Sequence, residues 1–122
     1  MPVSDSFRLY ALEQLGRVVT GDIRSRGMFG GVGVYAGERY FALIDDDVLY
    51  LKADDLTAPA FEAEGLLPFR PFGEGTKPMK YYAVPVEWLE DVELLSPWAE
   101  RALEAAARGK KPRARRGSRG TS

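Results

Sequence analysis

Apolar positions along the chain change their spacing more than once. Near the N-terminus Phe7, Tyr10, Ala11 and Leu15 recur at steps of three and four, which places them on one face of a helix. Ser4 or Asp5 can accept the unpaired amides of its first turn, and Gly16 suits the left-handed residue that closes it. From about residue 17 to 52 β-formers take over: Val18, Val19, Ile23, Val32, Val34, Tyr35, Tyr40, Phe41, Ile44 and the run 48–51. Two turns divide them, Ala36-Gly37-Glu38-Arg39 and Asp45-Asp46-Asp47. The pattern predicts three or four antiparallel strands in a meander, with the aspartates exposed in a turn. Residues 40–44 and 48–51 are apolar at both parities, so both faces of the central strands need cover.

Beyond residue 53 the signals shorten. Asp54-Asp55-Leu56 predicts a second helix through about Glu64, with Pro59 in its first turn and Gly65 ending it. Residues 66–78 are rich in Pro and Gly and read as a loop with a short strand at Phe69–Phe72, paired with a second at Met79–Val84. Pro85 permits a helix start at Val86, and Ser96-Pro97 reads as the cap and first position of a helix through Ala107. After Gly109 the chain holds almost nothing apolar and is expected to be disordered. The reading is a folded domain over 1–108 and a basic tail over 109–122.

Composition narrows the chemistry. The 122 residues contain no cysteine and no histidine. Disulfides, thiolate nucleophiles, Cys- or His-built metal sites and Ser-His-Asp catalysis are thereby excluded. The formal net charge of −1 conceals an uneven distribution. Seven of the 17 basic residues and none of the 18 acidic ones fall in 108–122, leaving a body of −8. The N-terminus lacks the pattern of a signal peptide, and no apolar run approaches the ~20 residues of a membrane span. The expected location is the cytoplasm, with no membrane partner.

Four constellations invite a chemical reading. Gly31-Val32-Gly33-Val34-Tyr35-Ala36 fits the loose dinucleotide pattern, but that motif needs a helix to follow and here a strand does. No cofactor is expected. The aspartates 45–47, with Asp54 and Asp55, lack calcium-loop spacing and read as turn and cap residues, with no metal. The tyrosines 35, 40, 50, 81 and 82 read as core and interface residues, with base stacking beside Arg26, Lys52, Lys77 and Lys80 as the alternative. The tail residues Lys110, Lys111, Arg113, Arg115, Arg116 and Arg119 are candidate nucleic-acid contacts through phosphate. Apolar residues at both parities also suggest a homodimer.

Taken together, one set of residues resembles a known family. It comprises Arg26, Met28, Phe29, Gly30, Gly31, Gly33 and Tyr35, then Phe41–Ile44, Asp46, Leu49, Tyr50 and Lys52. It continues with Pro68-Phe69, Met79, Tyr81, Tyr82, Val84, Pro85, Leu89–Asp91 and Trp98. Their order and spacing resemble the N-terminal domain of the TfoX/Sxy family, the regulators of natural competence. The resemblance implies an α+β fold, an antiparallel meander flanked by helices and similar to secretion chaperones. It also implies a non-enzymatic regulator that contacts the transcription machinery, with motif residues that build structure: glycines for close backbone approach, aromatics and Met28 for the core. The full-length regulators carry a second, helical domain, where this chain has the basic tail. The alternative function is weakly sequence-specific nucleic-acid binding through that tail.

Overall fold

The computed structural model describes residues 3–28, 30–73 and 75–114, without the side chains of Met28 and residues 110–114. Helix α1 (Asp5–Val18) starts at Ser4, whose Oγ accepts the Phe7 amide at 3.2 Å. It runs through Gly16, the expected stop, and Val18 is helical rather than part of a strand. An internal glycine costs a helix about 1 kcal/mol. Seating Leu15 and Val19 in the core, with the Val19 amide bonded to Leu15 O, outweighs that. The buried stripe follows Phe7, Ala11 and Leu15, so Tyr10 is exposed, contrary to expectation.

Strands β1 (Ile23–Met28), β2 (Gly31–Ala36), β3 (Arg39–Asp45) and β4 (Val48–Lys52) form the expected meander. The β2–β3 turn uses Gly37 at φ 63°. The β3–β4 turn has Asp46 and Asp47 at φ 53° and 56°, the geometry of a tight hairpin that aspartate tolerates better than most residues. Asp47 also accepts hydrogen bonds from the Ser4 amide and hydroxyl at 2.8 and 2.9 Å, tying the start of α1 to this turn.

Helix α2 (Ala58–Ala63) starts later than residue 54. Asp54 instead folds a turn, its Oδ1 accepting the Leu56 and Thr57 amides. Strand β5 covers only Pro68–Phe69, because Pro71 has no amide for the ladder and the chain turns there. Strand β6 (Met79–Ala83) pairs with both β4 and β5, giving one antiparallel sheet in the order β1-β2-β3-β4-β6-β5. Helix α3 (Val86–Glu90) follows Pro85.

Helix α4 (Val92–Ala114) corrects another expectation. Ser96 and Pro97 lie inside it. Its cap is Asp91, whose Oδ1 accepts the Glu93 amide and whose carbonyl accepts those of Leu94 and Leu95. Starting at Asp91 brings Leu95 into the core, fully buried, while Pro97 falls on the exposed side. The helical backbone also runs past the boundary expected at residue 108, carrying Lys110, Lys111 and Arg113.

All four helices of the described residues gather on one face of the sheet. Helix α4 lies across β3 and β4, and α1 and α3 pack against it. Its buried line, Leu95, Ala99, Ala102 and Ala106, is mostly alanine, which lets the helix sit close to the strands. An aromatic row joins the rest: Tyr82 of β6 stacks on Phe61 of α2, Phe61 meets Trp98 of α4 at 5.0 Å, and Trp98 stacks on Trp88 of α3. The sheet contributes Val34, Ala42, Ile44, Leu49 and Leu51 to this core.

One residue breaks the alternation. Val34 pairs with Ala42 but Tyr35 pairs with Tyr40, so Phe41 is an extra residue in β3, a β-bulge. The bulge puts Phe41 beside Ala42 in the core, fully buried. It also sends Tyr40 to the opposite face, where its ring stacks on Tyr35 at 5.0 Å.

Candidate functional site: the helix-free face of the sheet

Register fixes which side chains share the face that no helix covers. Arg24 and Arg26 come from β1, Gly31, Gly33 and Tyr35 from β2, Tyr40, Leu43 and Asp45 from β3. Val48, Tyr50 and Lys52 come from β4, Met79, Tyr81 and Ala83 from β6, and Phe69 from β5. Both faces of the central strands are indeed apolar, as the sequence requires, but helices cover only one.

The rings on this face contact one another. Tyr40 bridges Tyr35 and Tyr81, the latter at 5.8 Å between centroids, and Tyr50 meets Phe69 at 4.8 Å. Cations edge them: the Arg24 guanidinium sits 5.9 Å from the Tyr35 ring and Lys52 Nζ 5.0 Å from the Tyr81 ring. Lys52 donates to the Tyr81 hydroxyl at 3.4 Å, and the hydroxyls of Tyr81 and Tyr40 are hydrogen-bonded to each other. A shallow depression bounded by Arg24, Ser25, Arg26 and Tyr35 marks the β1 end.

Electrostatics follow from partial burial. Desolvation pushes the Tyr81 hydroxyl well above the ordinary tyrosine range, with the neighbouring hydroxyl of Tyr40 adding to it. Tyr40 is raised for the same first reason, then by Tyr35. Tyr50 is raised by burial, then by Asp45 and Asp46. Burial lowers Lys52, with Asp54 opposing. The raised phenols of Tyr40, Tyr50 and Tyr81 are protonated at neutral pH, so the face offers ring surface, hydroxyl donors and cations. Among the described residues no cluster of three or more His, Cys, Asp or Glu is placed to hold a metal.

The residues singled out in the sequence separate into groups. Arg26, Gly31, Gly33, Tyr35, Tyr50, Lys52, Met79 and Tyr81 converge on the helix-free face. Reading their aromatics as core fillers is corrected for Tyr35 and Tyr50, which stay half-exposed there. Leu49 and Tyr82 do belong to the core beneath the helices. Gly30 takes φ 81° in the β1–β2 turn, Asp46 sits in the next hairpin, and Pro85 opens α3. Gly31 is needed for close approach, since a Cβ there would meet Ile44 O at 2.7 Å. The Met28 side chain and Phe29 lie outside the described residues, as do Arg115, Arg116 and Arg119. The side chains of Lys110, Lys111 and Arg113 lie outside them too.

A family model, that of the TfoX N-terminal domain, matches residues 13–106. The chain belongs to this family. The match spans all six strands and reaches into α4, so the TfoX-like domain includes the helix-free face and its motif residues. No curated protein matches the chain. None of the described helices of the TfoX-like domain is long and apolar enough to cross a membrane.

Two features of this TfoX-like domain escaped the sequence. Tyr40 reaches the face only because of the bulge. Arg108, counted among the charges of 108–122, closes back on the body: its guanidinium grips the Asp54 carboxylate at 2.6 and 3.0 Å. The partners stand 54 positions apart, so no local pattern announces them.

Proposed function

We propose that this TfoX-like domain is a non-enzymatic regulatory module of the cytoplasm that acts in transcriptional control by protein contact through the helix-free face. The observation carrying this reading is the convergence of Arg26, Tyr35, Tyr50, Lys52 and Tyr81 on a face that no helix covers. Interlocked aromatic rings edged by cations are what protein interfaces favour at their centres. The absence of His and Cys from the sequence, and phenols raised by burial, argue against acid–base or nucleophilic chemistry.

The test is affinity capture from cell extract with the wild-type chain and with Tyr50→Ala and Arg26→Glu, each with and without nuclease. Capture of the same partner that survives nuclease and is lost in the face variants supports the reading. Capture lost on nuclease treatment and on removal of residues 110–122 favours the second reading, DNA contact through the basic segment. That reading rests on six Lys and Arg between 110 and 119 with no acid among them.

A further inference from the structure

The sheet has two edges of unequal length. Strand β5 offers two residues, whereas β1 offers six, from Ile23 to Met28. The Gly37 amide donates to Asp22 O, which marks residues 22 and 37 as a hydrogen-bonded pair. By antiparallel alternation Arg24, Arg26 and Met28 direct their backbone groups toward β2, and Ile23, Ser25 and Gly27 turn theirs outward. No backbone group of the described residues bonds to these outward donors and acceptors. Residues 24–27 are exposed throughout. Among the described residues the edge is therefore an unfilled ladder position.

Its side chains say what fits. Arg24 and Arg26 stand two residues apart on the helix-free face, flanking the depression they share with Tyr35. An antiparallel strand laid against β1 would place alternate side chains directly opposite these arginines, in the closer, non-hydrogen-bonded positions. A second copy of β1 would set arginine near arginine, which opposes self-pairing. Arg24 already donates one N–H to Gly37 O at 2.6 Å, and carboxylates at alternate positions of an added strand would pair with its other donors and with Arg26.

We infer that β1 is a docking edge for an extended acidic segment of a partner protein, which adds a seventh strand with carboxylates opposite Arg24 and Arg26. Backbone hydrogen bonds to Ile23, Ser25 and Gly27 hold the segment, and the arginines select its charge pattern. This rests on the reading of the domain as a protein-contact module and locates one contact on it.

The probe is an end-blocked peptide of about seven residues alternating valine and glutamate, matched to the length of β1, with binding followed by fluorescence anisotropy. Two N-methylated versions separate an added strand from charge attraction. In one, methyl groups block the amides that face β1; in the other, the amides that face away. The first should weaken binding at least roughly tenfold and the second little, since each edge bond contributes on the order of 1 kcal/mol. Arg24→Glu with Arg26→Glu should abolish binding of the glutamate peptide and admit a lysine counterpart. No binding by the wild-type chain at millimolar peptide overturns the inference, as does equal tolerance of both methylation phases. Self-pairing of the chain that Arg26→Glu disrupts also overturns it. Because Tyr50→Ala leaves β1 unaltered, failure here leaves the capture result on the helix-free face standing.

Discussion

Removing the charge of Asp54 should cost stability at neutral pH and cost nothing in strong acid. Hydrogen bonds from Arg108, aided by the Thr57 and Leu56 amides, hold this carboxyl at about 2, against 3.8 for the free group. A carboxyl lowered in the folded state stabilises the fold above its unfolded value, and that contribution is lost as pH falls through the folded value. The window therefore runs from about pH 4 down to about pH 2. At 1.36 kcal/mol per unit the whole shift would correspond to roughly 2.5 kcal/mol. Both side chains keep about a third of their surface in water, at 28% and 37%, and screening there reduces the share to about 1 kcal/mol. Asp54→Asn is the clean perturbation, since its carbonyl oxygen can still accept the Leu56 and Thr57 amides. Urea unfolding of both proteins at pH 7, 4 and 2 should show a gap of about 1 kcal/mol that narrows below pH 4 and has largely closed at pH 2. Other acids titrate alike in the two proteins and drop out of the difference. A gap that stays constant with pH, or no gap at neutrality, would refute the reasoning.

Other outcomes follow from the same geometry. A chain cut after Gly109 should melt like the whole protein, while one cut after Ala107 loses the clamp on Asp54 and should melt several degrees lower by calorimetry. On the second reading, DNA retention by the whole chain should fall steeply with salt, with a log–log slope of several units by the ~0.9-per-phosphate rule, and be lost in the chain cut after Gly109. Gly31→Val forces a Cβ against Ile44 O and should destabilise by about 1–3 kcal/mol in thermal melts. Burial, with its bond to Glu62, pushes Tyr82 up to about 12. Its contribution should be intact below about pH 10 and lost as pH rises through 12, seen as ultraviolet phenolate absorption that lags behind unfolded chain.

The meander was legible because its punctuation is local. Gly37 and the Asp46-Asp47 pair declare their turns in the residues themselves. Start sites of helices were less legible, because two caps competed. Ser96-Pro97 is the stronger local signal, yet Asp91 wins because only the longer helix seats Leu95 in the core. Gly16 failed as a stop for the same reason, with tertiary burial outweighing a small propensity cost. Residues of the candidate site could be picked from the sequence, but their common face could not. Alternation assigns Tyr35 and Tyr50 to the outer face only once the register is known, and the bulge at Phe41 reverses the count for Tyr40.

That bulge makes β3 a strand with two phases joined at one residue. From Ala42 onward even-numbered side chains face the helices, while at Tyr40 the even-numbered side chain faces away. Deleting Phe41 would therefore leave a regular strand, with Tyr40 still facing away and Ala42 still facing the helices, and would empty the place its ring fills in the core. Deleting Tyr40 instead would draw Phe41 opposite Tyr35 and out of the core. The extra residue thus seats one more ring in the core without moving its neighbours off their faces, a packing demand that simple alternation over residues 40–44 does not show.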